Sequence, residues 1–207
     1  MSVKSYDPRD PALANVDARI LWWLVGIMAA LEALAQFGGL ERELAVYGAF
    51  WTLLLGDVEP IYAGQTVTMY VTYALLHDGW THLALNGAML LAVGRILCLV
   101  AGQALTLLAF MICASGAALL FAALPGSDSY PLVGASGAVY GFIAIWKRWE
   151  RSALRAHGRS TEPVRKFLIV LVTISAAVQL LYPNVAWGAH LGGFLTGWLF
   201  APLLGRR

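Results

Sequence analysis

The chain has 207 residues, of which 59% are hydrophobic and 13% charged, with a formal net charge of +2. Soluble globular chains average roughly 45–50% apolar and about 25% charged residues, and the mean hydropathy here is +0.69. These values exclude an ordinary soluble domain. No basic patch with interleaved aromatic residues lies outside one cationic loop, so no nucleic-acid partner is expected.

Six apolar runs are separated by polar segments along the chain. They cover about residues 20–38, 76–97, 101–124, 136–146, 167–182 and 188–204. Most are near the length of about 20 residues that a membrane-spanning helix needs. We therefore predict an all-α membrane protein, with a six-transmembrane-helix bundle at residues 20–204. Residues 1–19 are expected to form a short cytoplasmic N-terminal segment, and residues 205–207 a cytoplasmic tail.

The segment between the first two runs is expected to insert only partly into the membrane. Its apolar stretch, residues 46–55, is too short to cross the hydrocarbon layer and is typical of an interfacial or re-entrant element. Tyr47, Trp51 and Tyr62 are of the residue types that favour headgroup depth.

A cleaved signal peptide is the alternative interpretation of the first run, because Ala33-Leu34-Ala35 resembles a cleavage site. Signal peptides begin with a positively charged region. Here the three bases ahead of the run are cancelled by three acids, which favours a retained first span.

The distribution of Lys and Arg predicts the orientation in the membrane. Residues 147–166 hold seven bases, and the positive-inside rule places such a loop in the cytoplasm. Six spans then place both termini in the cytoplasm, and every base except Arg42 falls on that side. The sequence thus predicts a multi-pass protein of the cell (inner) membrane, with the fourth and sixth runs starting at the outer face.

Polar residues within apolar runs are costly in a membrane and are therefore candidates for function. Gly134-Ala135-Ser136-Gly137 opens the fourth run, so Ser136 is expected at the outward-facing N-terminus of a helix. Free N–H groups and the helix dipole favour a developing negative charge there, and small neighbours allow close approach. Close helix packing is the alternative explanation for this cluster of small residues.

His190 lies near the outer end of the sixth run and so at the predicted depth of Ser136. Gly193 and Gly137 belong to small-residue faces that would let these two helices touch. A neutral histidine beside a serine can take the hydroxyl proton and activate the nucleophile. Tyr140, one turn after Ser136, is expected to pack against the imidazole. We predict a Ser136–His190 dyad without a carboxylate.

His82 and Asn86 lie four residues apart near the outer end of the second run, so they share one helical face. Together with the Ser136 N–H they would supply three donors to an oxyanion hole, which stabilises the tetrahedral intermediate of acyl transfer. An interhelical hydrogen bond is the alternative role for such a histidine.

Taken together, these motifs resemble those of the rhomboid family of intramembrane serine proteases, of the bacterial type with a six-helix core. The matches are G-x-S-G at 134–137, A-H-x-x-G at 189–193 and H-x-x-x-N at 82–86, in the family's order over about residues 20–204. The resemblance implies single-span transmembrane substrates, cut near the outer membrane boundary. We expect no metal or cofactor. It implies these roles: Ser136 as nucleophile, His190 as general base, His82, Asn86 and the Ser136 N–H as oxyanion donors, and Gly134, Gly137, Tyr140 and Gly193 in support.

One stretch departs from the family's pattern. Many members carry a Trp-Arg pair in the loop before the second helix, where this chain has Thr68-Met69. That pair is thought to be structural, so the departure concerns the first loop rather than the chemistry.

A transporter is the main alternative from another functional class. Glu32 and Gln36 share one face of the first run, and a buried glutamate can relay protons. No pair of interrupted helices in corresponding halves accompanies them, although transport sites usually show one. A relative that has lost catalysis and only binds membrane clients would keep the same fold.

A metal site is a weaker alternative for the histidines. A spacing of five residues puts His77 and His82 on different helical faces. The two are therefore not expected to join His190 as ligands of one metal ion. Cys98 and Cys113 both lie in apolar runs, and we expect buried thiols rather than a disulfide or a metal pair.

Overall fold

The computed structural model describes residues 16–56, 58–127, 129–182 and 186–204. Within these ranges the chain is helical, and its only β pairing is one isolated bridge between two loops. Most of the predicted N-terminal segment and all of the predicted C-terminal tail lie outside the described residues.

Eight α-helices make up the described part of the chain. They are α1 (Arg19–Gly38), α2 (Glu41–Gly48), α3 (Gln65–Thr72), α4 (Trp80–Ala101), α5 (Gln103–Ala122), α6 (Ser136–Ala156), α7 (Glu162–Leu181) and α8 (Trp187–Leu204). Four of them, α1, α4, α5 and α7, are long and apolar enough to cross a membrane. The six-span prediction also requires two helices outside these four, α6, whose second half is charged, and α8, which contains His190 and four glycines. The count of six therefore stays a prediction.

Helix α6 is longer than the sequence pattern suggested. The predicted run stopped at residue 146, where the bases begin, but the helix continues to Ala156. Arg148 and the Trp149 indole each donate a hydrogen bond to a backbone carbonyl of α8, at 2.9 Å. The prediction was wrong because charge was taken as a loop signal, whereas these side chains attach a continuing helix to its neighbour.

The loop between α1 and α4 is held by side chains of α3. The buried Gln65 accepts a hydrogen bond from the Ile61 N–H and donates one to the Val46 carbonyl, both at 2.8 Å. Thr72 donates to the Gly48 carbonyl at 2.7 Å. These bonds fix the segment in which Thr68-Met69 departs from the Trp-Arg pattern. The depth of this loop in the bilayer stays a prediction.

The centre of the bundle is formed by α6, which packs against α8, α5 and α4. A Cβ added to Gly193 would collide with the Gly137 carbonyl, and one added to Gly197 would collide with that of Gly141. The backbones of α6 and α8 therefore touch, as small residues allow in membrane bundles. This contact brings the N-terminal ends of the two helices together.

The two cysteines lie in the core of the same bundle. Cys98 of α4 and Cys113 of α5 are both buried, and neither forms a disulfide. The expectation of buried free thiols is confirmed.

Candidate active site

Ser136 and His190 meet where α6 and α8 begin. Ser136 is the first residue of α6, and His190 lies in the first turn of α8. His190 Nε2 is 2.9 Å from Ser136 Oγ, which is hydrogen-bonding distance. Both residues are only partly buried, so another molecule can reach them. The arrangement places a base where it can take the serine proton.

Tyr140 holds the imidazole from one side. Its ring stacks on that of His190 with centroids 4.3 Å apart and planes within 6° of parallel. Because Tyr140 lies one turn below Ser136 on α6, the same helix presents the hydroxyl and the surface on which the imidazole rests. The stack restricts the plane of the His190 ring.

Gly134 allows His82 and Asn86 to approach the start of α6. Its φ of +106° lies in the region that favours glycine. A Cβ at this position would also lie 2.8 Å from His82 Nε2 and 3.7 Å from Asn86 Nδ2. The two side chains of α4 therefore lie against the turn that precedes Ser136.

The tautomer of His82 follows from its contact with the backbone. The Asp78 N–H donates to His82 Nδ1 at 3.4 Å, so Nδ1 is the acceptor and Nε2 carries the proton of a neutral ring. Nε2 is the atom that faces Gly134. His82 thus presents an N–H donor toward the start of α6.

The first turn of α6 supplies further donors. The N–H groups of a helix's first turn have no carbonyl one turn earlier to bond to. Ser136 and Gly137 occupy this turn, and no side chain among the described residues caps it. Partial positive charge therefore gathers beside the Ser136 hydroxyl, on the side that His82 and Asn86 approach.

Two anchors that the sequence analysis missed fix the turn before Ser136. The backbone carbonyl of Tyr73 accepts a hydrogen bond from the Gly134 N–H at 3.0 Å. The buried phenolic hydroxyl of Tyr73 donates to the Ala114 carbonyl at 2.9 Å. Phe50 and Leu132 exchange two backbone hydrogen bonds, at 3.1 and 2.9 Å. Nothing in the sequence distinguishes Tyr73 from other tyrosines, because its role depends on contacts far away along the chain.

His77 and Glu32, two other polar residues within or beside the apolar runs, differ in their surroundings. The His77 ring packs edge-on against that of His82, with centroids 5.1 Å apart. Glu32 of α1 is 2% exposed, and its carboxylate oxygens make no hydrogen bond within the described residues. Across that part of the chain, no three His, Cys, Asp or Glu side chains are arranged to hold a metal ion.

Comparisons with known proteins bear on the same region. The family described as Rhomboid domain matches residues 64–207, which include every candidate site residue. The rhomboid protease GluP of Bacillus subtilis (strain 168) is 28% identical over 183 residues. This match covers 84% of the chain but 30% of the relative, so the chain spans about a third of that protein's length.

Proposed function

The chain belongs to the rhomboid family, and from this premise we propose that it is an intramembrane serine endopeptidase. The observation that carries the proposal is the 2.9 Å contact between Ser136 Oγ and His190 Nε2, at the start of α6 in a membrane protein. The relative that carries the name of a rhomboid protease supports the same activity. A serine with a base at hydrogen-bonding distance is the arrangement that nucleophilic catalysis needs.

In the proposed mechanism Ser136 is the nucleophile. His190 takes the hydroxyl proton while Oγ forms a bond to the scissile carbonyl carbon, giving a tetrahedral intermediate. The C–N bond then breaks, and His190 returns the proton to the leaving amine. Water hydrolyses the acyl-enzyme by the same route, again with His190 as the base. Tyr140 keeps the imidazole in the plane that both transfers require.

The developing oxyanion would be stabilised by three donors. His82 presents Nε2–H, Asn86 presents its carboxamide, and Ser136 presents its own backbone N–H. The His82 and Asn86 side chains lie against Gly134, two residues before Ser136, and Gly134 has no side chain to fill the space. Gly137 and Gly193 support the site by letting α6 and α8 touch, which sets the distance from hydroxyl to imidazole. No cofactor enters any step.

We propose that residues 20–204 form one protease domain with six spans, α6 and α8 included, and a partly inserted first loop. The seven bases at residues 147–166 support a cytoplasmic position for the segment that joins α6 to α7. With six spans, both termini lie on the same side. The N-terminal ends of α6 and α8 would then face outward. The substrates would be single-span membrane proteins, cut near the outer membrane boundary.

The full chain, reconstituted in liposomes with a set of tagged single-span proteins, tests this proposal. Mass spectrometry of the products should locate a cut near the outer end of one or more substrate helices. Ser136→Ala should abolish the cut. Ser152→Ala, which changes an exposed serine on the same helix, should leave it unchanged. Cleavage that persists in Ser136→Ala would overturn the proposal.

A further inference from the structure

Helix α7 is attached to the rest of the bundle by few contacts. Val164 is its only buried residue within the described part of the chain. A cavity of about 590 Å³ separates its second half from α6 and α8. Leu171, Ile174, Leu191 and Phe194 line this cavity, and Tyr140 and His190 border it. The candidate active site therefore lies beside α7, a helix that is only loosely packed against the rest of the bundle.

A hydrogen bond between side chains crosses the edge of this cavity. Tyr140 Oη of α6 lies 2.7 Å from Ser175 Oγ of α7. Ser175 also donates to the Leu171 carbonyl at 2.7 Å, which uses the one proton of its hydroxyl. Tyr140 is therefore the donor and Ser175 the acceptor. Both residues are only partly buried, so this hydrogen bond lies at the edge of the bundle rather than in its core.

This hydrogen bond fixes the ring on which the imidazole rests. Tyr140 is held at Cα by α6 and at its hydroxyl by α7, so its ring cannot tilt without breaking the bond to Ser175. The ring lies flat against His190, 4.3 Å away. A tilt of Tyr140 would free the imidazole to turn, and His190 Nε2 would leave its position 2.9 Å from Ser136 Oγ. Small misplacements of reacting groups cost large factors in rate.

We propose that Ser175 is a positioning residue that holds His190 through Tyr140 and so makes the catalytic base depend on where α7 lies. This role rests on the proposed proteolytic function. With α7 against α6, the chain of contacts from Ser175 through Tyr140 to His190 is complete. When α7 moves away from α6, the phenol loses its acceptor and the base loses its fixed plane.

The test is the rate at which a fluorophosphonate probe labels the detergent-purified full chain. Ser175→Ala should lower the maximal labelling rate about two- to tenfold, the usual net worth of one hydrogen bond. The probe concentration at half-maximal rate should stay as in the wild type, and the thermal unfolding midpoint should fall by no more than about 6 °C. Ser175→Thr keeps the hydroxyl and should restore the rate.

Thr173→Ala is the matched control. Thr173 is exposed on the same helix and donates to the Ile169 carbonyl, as Ser175 does to that of Leu171, and no described partner lies across from it on α6. Its replacement should leave the labelling rate unchanged. In a Tyr140→Phe background the phenolic hydroxyl is already absent, so Ser175→Ala should have no further effect.

Several results would overturn the proposal. Labelling of Ser175→Ala at the wild-type rate would show that the bond does not position the base. A lower labelling rate in Ser175→Ala that Ser175→Thr does not restore would show that Ser175 acts by another route. The same conclusion would follow if Ser175→Ala lowered the rate equally in the Tyr140→Phe background. Wild-type protein that is never labelled would overturn the proposed function itself, and the role of Ser175 with it.

Discussion

At the scale of single residues, the candidate site depends on a few backbone contacts that orient the side chains facing it. The Asp78 N–H sets the tautomer of His82, and the carbonyl of Tyr73 holds Gly134 in a left-handed turn. Neither contact involves a charge or a metal. The backbone N–H of Asp78 thus orients His82 of α4 so that its Nε2 faces Gly134.

Asn86 provides a test at this scale. If its carboxamide binds the oxyanion, Asn86→Ala should lower kcat by about 10²–10³ with a much smaller change in KM, because one donor is lost in the transition state alone. Leu85→Ala is the control, since this neighbouring side chain is 66% exposed on another face of α4. Kinetics on a cleaved single-span substrate would give both constants. A wild-type kcat in Asn86→Ala would remove this residue from the mechanism.

The proposed catalytic residues were easier to select from the sequence than the residues that hold them in place. Ser136, His190, His82 and Asn86 are polar groups in apolar runs, where their cost in a membrane makes them conspicuous. Tyr73 and Ser175 are ordinary residues in the sequence, and their partners lie 41 and 35 positions away. Such contacts depend on how the helices pack, which local patterns do not encode.

At the scale of helices, apolar length predicted α1, α4, α5 and α7, and it also placed α8 within one residue, whereas the C-terminal end of α6 was missed. In α6 the charged second half was taken for a loop, although its side chains bond to α8. Helices α2 and α3 were missed because they are short and Gln65 fixes them through contacts between segments. The errors therefore lie where contacts between segments, rather than apolar length, decide where a helix begins and ends.

The contact between α6 and α8 gives a prediction about stability. Gly197→Ala should lower the free energy of unfolding by about 1–3 kcal/mol, because its Cβ would overlap the backbone of Gly141. Gly26→Ala in α1 is the matched control, since no atom lies within 4 Å of its added Cβ. That change should leave stability equal or slightly higher. Denaturant unfolding in detergent, followed by helical circular dichroism, measures both.

Equal stability of the two glycine variants would contradict close packing of α6 against α8. It would also remove the argument that this packing sets the distance from Ser136 to His190. A loss confined to Gly197→Ala would support both.

At the scale of the whole molecule, the account requires that the N-terminal ends of α6 and α8 face outward. We predict that a cysteine at Val58, in a chain lacking Cys98 and Cys113, reacts with an impermeant maleimide in intact cells. A cysteine at Ser160 should react only after permeabilisation. Both positions are exposed in the structure, so access depends on the side of the membrane. The opposite pattern would reverse the orientation and place the site in the cytoplasm.

The proposed activity depends on Ser136 as a nucleophile that His190 activates. The most direct measurement is fluorophosphonate labelling of the detergent-purified full chain, because it needs no knowledge of the substrate. If His190 activates Ser136, wild-type protein should be labelled, and Ser136→Ala and His190→Ala should not. Labelling that survives Ser136→Ala, or wild-type protein that stays unlabelled with its helical circular dichroism intact, would contradict it.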